Sequence, residues 1–376
     1  MSELAGRLVE RIRRDGPLRF DEFHAAALYD TRDGFFASGG QAGRRGDFLT
    51  SPEVGPLLGA VVARAIDAWW EALGQPNPFV FVDAGAGPGT LARSVLHAGP
   101  ACRASGALRY VAVEVSAAQR ALHPFGESGF ESRAEQRAVD PHTSPGVASV
   151  AELPAGSFDG VIIANELLDD LPFRLLVFDG GWREAFVDAT ADGRFVEVLA
   201  PLDDAPPFAL PVDVPHGARI PWQERAGWWL ADALGRLSAG RIVVIDYCSD
   251  TARLAQRPWR EWLRTYRGHE RGGHYLADPG GQDITAEVAL DQLAAAVRLP
   301  DAVRTQAQWL ALHGIAELVD EGRRAWEAGA ARADLVALEG RSRIREAEAL
   351  TDPSGLGAFT VAEWLVPGPA TRSRPH

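Results

Sequence analysis

A short apolar strand followed by an acid and alternating glycines is the segment of this sequence best suited to hold a ligand. Residues 79–82 form the strand, Asp83 follows it, and residues 84–90 carry glycine at every second position. Glycines let a backbone turn tightly and approach a ligand, and a helix beginning near Thr90 offers free N–H groups. The dinucleotide fingerprint G-x-G-x-x-G does not fit, because it needs glycine where Thr90 stands. The loop predicts a different nucleotide-type cofactor, with an unliganded glycine-rich turn as the alternative.

A second apolar strand also ends in an acid. Residues 109–113 form this strand, Glu114 follows it, and Ser116 can cap the next helix. In nucleotide-binding α/β folds, an acid at this distance from the glycine loop hydrogen-bonds the ribose hydroxyls. We therefore expect Glu114 to bind a ribose, a feature that NAD-dependent enzymes share.

A third strand precedes the residues most able to act on a substrate. The strand at 158–164 is followed by Asn165, Glu166 and Asp169. Ligands of open parallel sheets bind at the carboxyl ends of the strands, so these side chains are predicted to lie at the reacting end of the cofactor. In a purely structural alternative, Asn165 caps a turn and Asp169 and Asp170 face solvent.

The composition excludes several kinds of enzyme. The chain has 376 residues, a formal net charge of −13 and no lysine, so all 38 basic residues are arginine. Without lysine there is no Walker-type phosphate site, no pyridoxal Schiff base and no lysine general base. The acidic balance argues against a nucleic-acid partner, because phosphate binding needs a basic face.

No sequence feature suggests secretion, a membrane span or a metal site. No apolar run reaches the roughly 18 residues of a membrane helix, and no signal peptide is recognisable. Cys102 and Cys248 are too few for a disulfide framework or a C-x-x-C zinc motif. The spacing of His269 and His274 does not match the H-E-x-x-H zinc helix. We therefore expect a cytoplasmic protein without metal.

The apolar pattern divides the chain into regions. The fold class is predicted as α/β, a Rossmann-like core with a helical N-terminal extension and an inserted and C-terminal α+β substrate region. A helix is expected from Pro52 to Leu73, and antiparallel hairpins over residues 173–199. The regions are a helical extension and lid (1–75), the core (76–178 and about 241–366), an inserted hairpin and helix region (179–240) and a disordered tail (367–376).

Several longer segments of the chain occur together in one known family. They are LYDTRDGFF (28–36), GDFLTSPE (46–53), DAGAGPGT (83–90), ANELLDDLP (164–172), WRE (182–184), IDY (245–247), YRGH (266–269), DITA (283–286) and TQAQWL (305–310). Through them most of the chain resembles the MidA-like methyltransferases, which use S-adenosylmethionine (SAM). The family includes a mitochondrial enzyme that methylates an arginine of a respiratory complex I subunit.

The resemblance implies a class I SAM methyltransferase fold, with S-adenosylhomocysteine as product. It also implies that the GDFLTSPE segment packs over the cofactor. The residues it implies for cofactor binding are Thr50, Ser51, Asp83, Gly85, Ala86, Gly87, Gly89, Thr90, Glu114, Val115, Ala151, Glu152 and Asn165. Those it implies for catalysis are Asn165, Glu166, Asp169 and His269.

Three functions fit these observations. The first is methylation of a protein arginine by direct SN2 transfer, in which Glu166 and Asp169 hold the guanidinium. The second is methylation of an oxygen or nitrogen of a small molecule, for which His269 could act as base. The third is a SAM-binding assembly factor with little turnover. The expected partner is thus a protein substrate or a small-molecule acceptor, with no nucleic acid or membrane, and a homodimer is left open.

Overall fold

The computed structural model describes residues 2–37, 50–123, 146–268, 270–331 and 334–368. Three sequence-based expectations therefore concern residues outside this description. They are the placement of residues 46–49 in the segment over the cofactor, the role of His269, and the disordered tail beyond residue 368.

The described chain forms thirteen α-helices and seventeen strands. The helices are α1 (Glu3–Asp15), α2 (Phe20–Tyr29), α3 (Ser51–Val54), α4 (Leu57–Ala72), α5 (Thr90–Ala98), α6 (Ala101–Ala104), α7 (Ala117–Arg120), α8 (Glu224–Gly235), α9 (Thr251–Gln256), α10 (Leu290–Ala296), α11 (Gln306–Leu312), α12 (Ile315–Gly329) and α13 (Leu335–Thr351). Short 3-10 helices cover Trp259–Glu261 and Leu356–Ala358. The strands are β1 (Leu18–Arg19), β2 (Phe79–Ala84), β3 (Leu108–Val113), β4 (Val147–Val150), β5 (Phe158–Asn165), β6 (Arg174–Phe178), β7 (Trp182–Ala189), β8 (Phe195–Pro201), β9 (Arg219–Trp222), β10 (Leu237–Asp246), β11 (Cys248–Ser249), β12 (Leu263–Arg267), β13 (Glu270–Arg271), β14 (Asp283–Ala286), β15 (Val288–Ala289), β16 (Ala302–Thr305) and β17 (Thr360–Val366).

A seven-stranded sheet forms the centre of the fold. Its strand order is β16-β17-β10-β5-β2-β3-β4. Strands β4, β3, β2, β5 and β10 are parallel, and β17 pairs antiparallel with β10. The chain runs outward from β2 through β3 to β4 and then returns to β5, so the connections diverge between β2 and β5. Ligands of open α/β sheets bind at such a point, and the predicted Rossmann-like fold is confirmed.

Both faces of this sheet are covered, which explains the continuous apolar runs of its strands. Every residue of β2 is buried. On one face, β2 and β5 pack with α4 and α5, and on the other with α8 and α10. Helix α8, which the sequence-based division assigns to the 179–240 insertion, therefore packs directly on the central sheet.

A second apolar core lies under the N-terminal helices. Strands β6, β7 and β8 form the two antiparallel hairpins expected over residues 173–199. Helices α1 and α2 bury their apolar faces against this smaller sheet, and β1 pairs with β7. The N-terminal residues are in this way attached to the insertion as well as to the central sheet.

The long helix expected from Pro52 to Leu73 is wrong in one respect, because it is interrupted after α3. A Cβ at Gly55 would overlap the carboxyl group of Glu346 in α13. That carboxylate accepts a hydrogen bond from the N–H of Leu57 at 2.8 Å, at the start of α4. A distant side chain thus begins the second helix, which local periodicity cannot reveal. Among the described helices, none combines the length and apolar character of a membrane span.

A close approach of two strands in the central sheet predicts a stability effect. A Cβ at Gly160 in β5 would overlap the carbonyl oxygen of Val80 in β2. We expect Gly160→Ala to lower the free energy of unfolding by about 1–3 kcal/mol, because the strands must separate. Gly181→Ala is the matched control, since no atom lies within 4 Å of the added methyl. Urea denaturation followed by circular dichroism measures both, and equal midpoints for the two variants would contradict the close packing.

Candidate active site

The carboxyl ends of β2, β3 and β5 open into one cavity of about 950 Å³. The glycine loop after β2 and the acids after β3 and β5 line it, while α2 and α8 contribute from the other sides. This is the edge of the sheet where the strand connections diverge.

Ten of the residues proposed from the sequence line the cavity. They are Thr50, Asp83, Gly85, Ala86, Gly87, Thr90, Glu114, Val115, Asn165 and Glu166. Other proposed residues do not line it, namely Ser51, Gly89, Ala151, Glu152 and Asp169. His269 lies outside the described residues.

The glycine loop adopts backbone conformations that side chains disfavour. Gly85, Gly87 and Gly89 have φ angles of 72°, 51° and 77°. The N–H of Gly85 and of Ala86 donate to the carbonyl oxygen of Val113 at 2.9 and 3.0 Å, which fixes the loop to the end of β3. At Gly87 a Cβ would meet no atom within 4 Å and would project into free space. Gly89 is instead the N-cap of α5, so its contribution is to begin that helix.

Asp83 is buried at the end of β2. Its Oδ2 accepts a hydrogen bond from the hydroxyl of Tyr110 at 2.9 Å. Burial raises the pKa of the Asp83 carboxyl to about 7, although the Tyr110 hydrogen bond opposes this shift. A cationic ligand at this carboxyl would favour its ionised form.

Glu114 ties the glycine loop to the next helix. Its carboxylate accepts from the N–H of Gly87 at 3.0 Å and from the N–H of Ser116 at 2.7 Å. Burial raises the pKa of Glu114 and these hydrogen bonds lower it. The Ser116 hydroxyl donates to the carbonyl oxygen of Phe36 at 2.9 Å, so the segment after α2 is held against the site.

Glu166 has an uncommon backbone conformation. Its φ of 50° bends the chain directly after β5, and its N–H donates to the carbonyl oxygen of Ile245 at 2.8 Å. One carboxylate oxygen accepts from the N–H of Ser51 at 3.2 Å and from the Asn165 amide at 3.1 Å. Burial, followed by the negative charge of Asp169, raises the pKa of Glu166 to about 8. Ser51 therefore contacts the site through Glu166.

Two further acids hold the turn after β5. Asp169 accepts from the Thr285 hydroxyl at 2.6 Å, which ties the turn to β14. Asp246 accepts from the N–H groups of Leu168 at 3.1 Å and Asp169 at 3.3 Å. Asp169 was expected to line the cavity, but the residue that does so is Asp170, which follows it in sequence.

The segment after β4 lies beside the site without lining the cavity. Ala151 is half-buried and Glu152 is exposed. The carbonyl oxygen of Val150 accepts from the N–H of Glu114 at 2.9 Å, so the strand end supports Glu114.

Sequence analysis missed several residues of the site. Tyr110 binds Asp83, the Tyr29 hydroxyl donates to the carbonyl oxygen of Asp170 at 3.2 Å, and Trp228 lines the cavity with 65% of its surface exposed. The adjacent Trp228 and Trp229 of α8 were a signal in the sequence, since neighbouring positions of a helix point in different directions and do not both face one buried side. Tyr29 lies in the family segment at 28–36 without having been proposed as a site residue, and no local signal marked Tyr110.

Comparison with known proteins now identifies the family. Residues 61–307 match a family model of S-adenosyl-L-methionine-dependent methyltransferases. The chain belongs to this family. SAM is accordingly its cofactor, and the site fits it: SAM carries an ammonium, ribose hydroxyls and a sulfonium, all of which suit buried carboxylates.

Individual relatives and a solved structure agree with this family. The Drosophila melanogaster protein arginine methyltransferase NDUFAF7 homolog is 27% identical over 318 residues, covering 76% of this chain and 68% of the relative. The human protein arginine methyltransferase NDUFAF7 is 26% identical, and the match covers 76% of this chain and 67% of the human protein. A Burkholderia thailandensis crystal structure bound to S-adenosyl-homocysteine has a TM-score of 0.78 and 25% identity, covering 96% of this chain and 92% of that one.

The open space at Gly87 predicts how the cofactor site can be blocked. We expect Gly87→Val to abolish SAM binding in calorimetric titration while circular dichroism shows a folded protein, since the side chain would fill cavity space. Gly106→Val is the matched control, because it also has positive φ and free space but lies away from the cavity. SAM binding by the Gly87 variant at wild-type affinity would contradict the assignment.

Proposed function

We propose that this protein transfers the methyl group of SAM to an arginine side chain of a protein. The observation that carries the proposal is Glu166, a half-buried carboxylate that lines the cavity at the reacting edge of the sheet. A carboxylate there can bind a guanidinium through charge-assisted hydrogen bonds. Relatives named protein arginine methyltransferases support the same acceptor.

The two strand-end acids suit the two polar ends of SAM. Asp83 would hold the ammonium, because it is a buried carboxyl beside the glycine loop. Glu114 would hold the ribose hydroxyls, and its contact with the Gly87 N–H positions it for this. Asn165 and Glu166, at the end of the neighbouring strand β5, would then face the sulfonium end.

Catalysis in this proposal requires alignment of the acceptor and removal of one proton. When bound, SAM supplies a methyl group that the acceptor nitrogen takes by in-line displacement, with the electron pair of the broken bond left on sulfur. Glu166 orients the guanidinium and accepts the proton that the nitrogen loses. Its raised pKa suits it to hold that proton near neutral pH.

The N-terminal residues are proposed to cover the site. Tyr29 of α2, Phe36 and Thr50 line the cavity, and Ser116 binds the backbone of Phe36. These contacts support a lid function for residues 1–75 and would exclude water from the reaction.

We also propose a reducing compartment such as the cytosol. Both cysteines are free thiols in the structure, with Cys102 buried and Cys248 half-buried. Free thiols persist where glutathione and thioredoxin keep them reduced.

Methyl transfer in a lysate tests the proposed acceptor. Purified protein is incubated with methyl-labelled SAM and a whole-cell lysate, and the labelled proteins are hydrolysed to amino acids. We expect the label in a protein band and in methylarginine. Label in a small metabolite would instead support the small-molecule reaction, and no transfer above an enzyme-free blank would support a binding-only role.

The raised pKa of Asp83 predicts how SAM binding depends on pH. The free carboxyl has a pKa of about 7, and ammonium binding requires its ionised form. SAM affinity should therefore fall as the pH drops below about 7, approaching tenfold for each pH unit. Asp83→Asn should bind SAM weakly, and its affinity should depend less on pH between 5.5 and 8 than that of the wild type. Calorimetry at several pH values measures both, and a flat wild-type profile would contradict this role.

Glu166→Gln tests the role of the carboxylate in transfer. We expect turnover to fall by a factor corresponding to about 2–4 kcal/mol, because the amide keeps the shape but loses the charge. SAM affinity should change little. Glu10→Gln, on the exposed face of α1, is the control and should transfer normally. Normal turnover would reduce Glu166 to a structural residue, and parallel loss of SAM binding would assign it to the cofactor.

A further inference from the structure

We propose that Asp170 and the amide oxygen of Asn165 complete, with Glu166, a pocket of hydrogen-bond acceptors that binds the guanidinium of the acceptor and rejects neutral analogues. This inference rests on the proposed function and names the residues that select its substrate. It assigns to Asp170 the contact that the sequence suggested for Asp169.

Asp170 is buried and lines the cavity, yet its carboxylate is not saturated. Its side chain is 9% exposed, and its Oδ1 has no hydrogen-bond partner within the described part of the chain. The residue is held from its backbone, where its carbonyl oxygen accepts from the Tyr29 hydroxyl at 3.2 Å. Asp169 also has an Oδ1 without a partner among the described residues, but its other carboxylate oxygen accepts from Thr285 and the residue does not line the cavity. Asp170 is therefore the acid of this pair that a ligand in the cavity can meet.

The amide of Asn165 adds a second unsatisfied acceptor. Its Nδ2 donates to Glu166 at 3.1 Å, and this contact determines which end of the amide carries the oxygen. The oxygen, Oδ1, is buried and lacks a partner among the described residues. A buried acceptor without a donor costs about 1–3 kcal/mol, so a ligand that supplies a donor would be favoured.

A bound cation would favour the ionised form of Asp170. Burial, followed by the negative charges of Asp283, Asp169, Asp246 and Glu166, raises the pKa of this carboxyl. Within the described ranges, Glu166, Asp169, Asp170 and Asp246 form no salt bridge. The nearby Arg264 lowers the pKa of Asp169 but is paired with Glu287.

The basic residues that line the cavity leave this charge unpaired. Arg120 donates to the carbonyl oxygens of Glu114 at 2.5 Å and Val115 at 2.8 Å, and Arg225 is exposed. Neither forms a salt bridge to an acid of the cavity described here. Among the described residues, no basic side chain is paired with the acidic end of the cavity, so this end can accept a cation from a ligand.

A guanidinium matches this pocket better than the other acceptor groups. It has five N–H donors in one plane and no acceptor, so it can meet several carboxylate and amide oxygens at once. A hydroxyl has a single donor, and the urea group of citrulline would place its own oxygen among these acceptors. Selection therefore depends on both the charge and the donor count of the ligand.

Binding of small probes tests this selection without turnover. N-acetyl-arginine methylamide and its citrulline analogue are titrated calorimetrically into full-length protein saturated with S-adenosylhomocysteine. We expect the arginine probe to bind and the citrulline probe to bind at least about tenfold more weakly. Asp170→Asn should lower the affinity for the arginine probe by about tenfold or more and should reduce the preference for arginine over citrulline. Its affinity for S-adenosylhomocysteine should be unchanged. Asp203→Asn, at an exposed acid, should behave as wild type.

A second variant and a separate assay keep the outcomes distinct. Asn165→Ser removes the amide oxygen and should also weaken binding of the arginine probe. This variant tests the pocket if Asp170→Asn does not fold. Wild-type affinity for the arginine probe and wild-type preference over citrulline, in variants that fold, would overturn the pocket.

Methylarginine formation in the lysate assay is scored separately. If wild-type protein forms it and Asp170→Asn forms it equally, the pocket is refuted while the proposed function stands. If wild-type protein forms none but binds the arginine probe through Asp170, the function fails while the pocket stands.

Discussion

Buried carboxylates at one edge of the central sheet are the constraint on which the site depends. Asp83, Asp169, Asp170 and Asp246 are buried and Glu166 is half-buried, and loss of hydration raises the pKa of each. Taking charges out of water is costly unless they are paired or hydrogen-bonded. Here the compensation comes from hydrogen-bond donors of the chain, such as Tyr110, Thr285 and the Ser51 N–H. The remaining acceptors are suited to cationic ligands, namely the ammonium and sulfonium of SAM and, in our proposal, a guanidinium.

The fold places these acids by close backbone packing. Gly160 brings β5 close to β2, and a Cβ at Gly240 in β10 would overlap the carbonyl oxygen of Gly160. The three strands are paired in parallel, so their carboxyl ends, where the acids lie, meet at one edge of the sheet. Glu166 turns out of β5 with a positive φ, a conformation that costs about 1 kcal/mol or more in a residue with a side chain. Asp246 then holds the N–H groups of that turn, so the acid after one strand orients the residues after its neighbour.

Much of the cofactor site could be predicted from the sequence, because strand ends and positive-φ glycines have local signals. The acids after β2 and β3 and the loop between them line one cavity, as their spacing indicated. The choice between Asp169 and Asp170 could not be predicted. The alternation of side-chain directions along a strand no longer applies after Glu166, because this residue leaves the extended conformation. In addition, the hydrogen-bond partner of Asp169 is Thr285, 116 residues away in sequence. Likewise, the break after α3 depends on Glu346, 289 residues from Leu57.

A crystal structure of the protein with S-adenosylhomocysteine tests the central claim most directly. We expect the ribose hydroxyls within hydrogen-bond distance of Glu114, the amino group of the ligand at Asp83, and its sulfur facing Asn165 and Glu166. A ligand bound outside this cavity, or one whose sulfur faces away from the end of β5, would contradict the account.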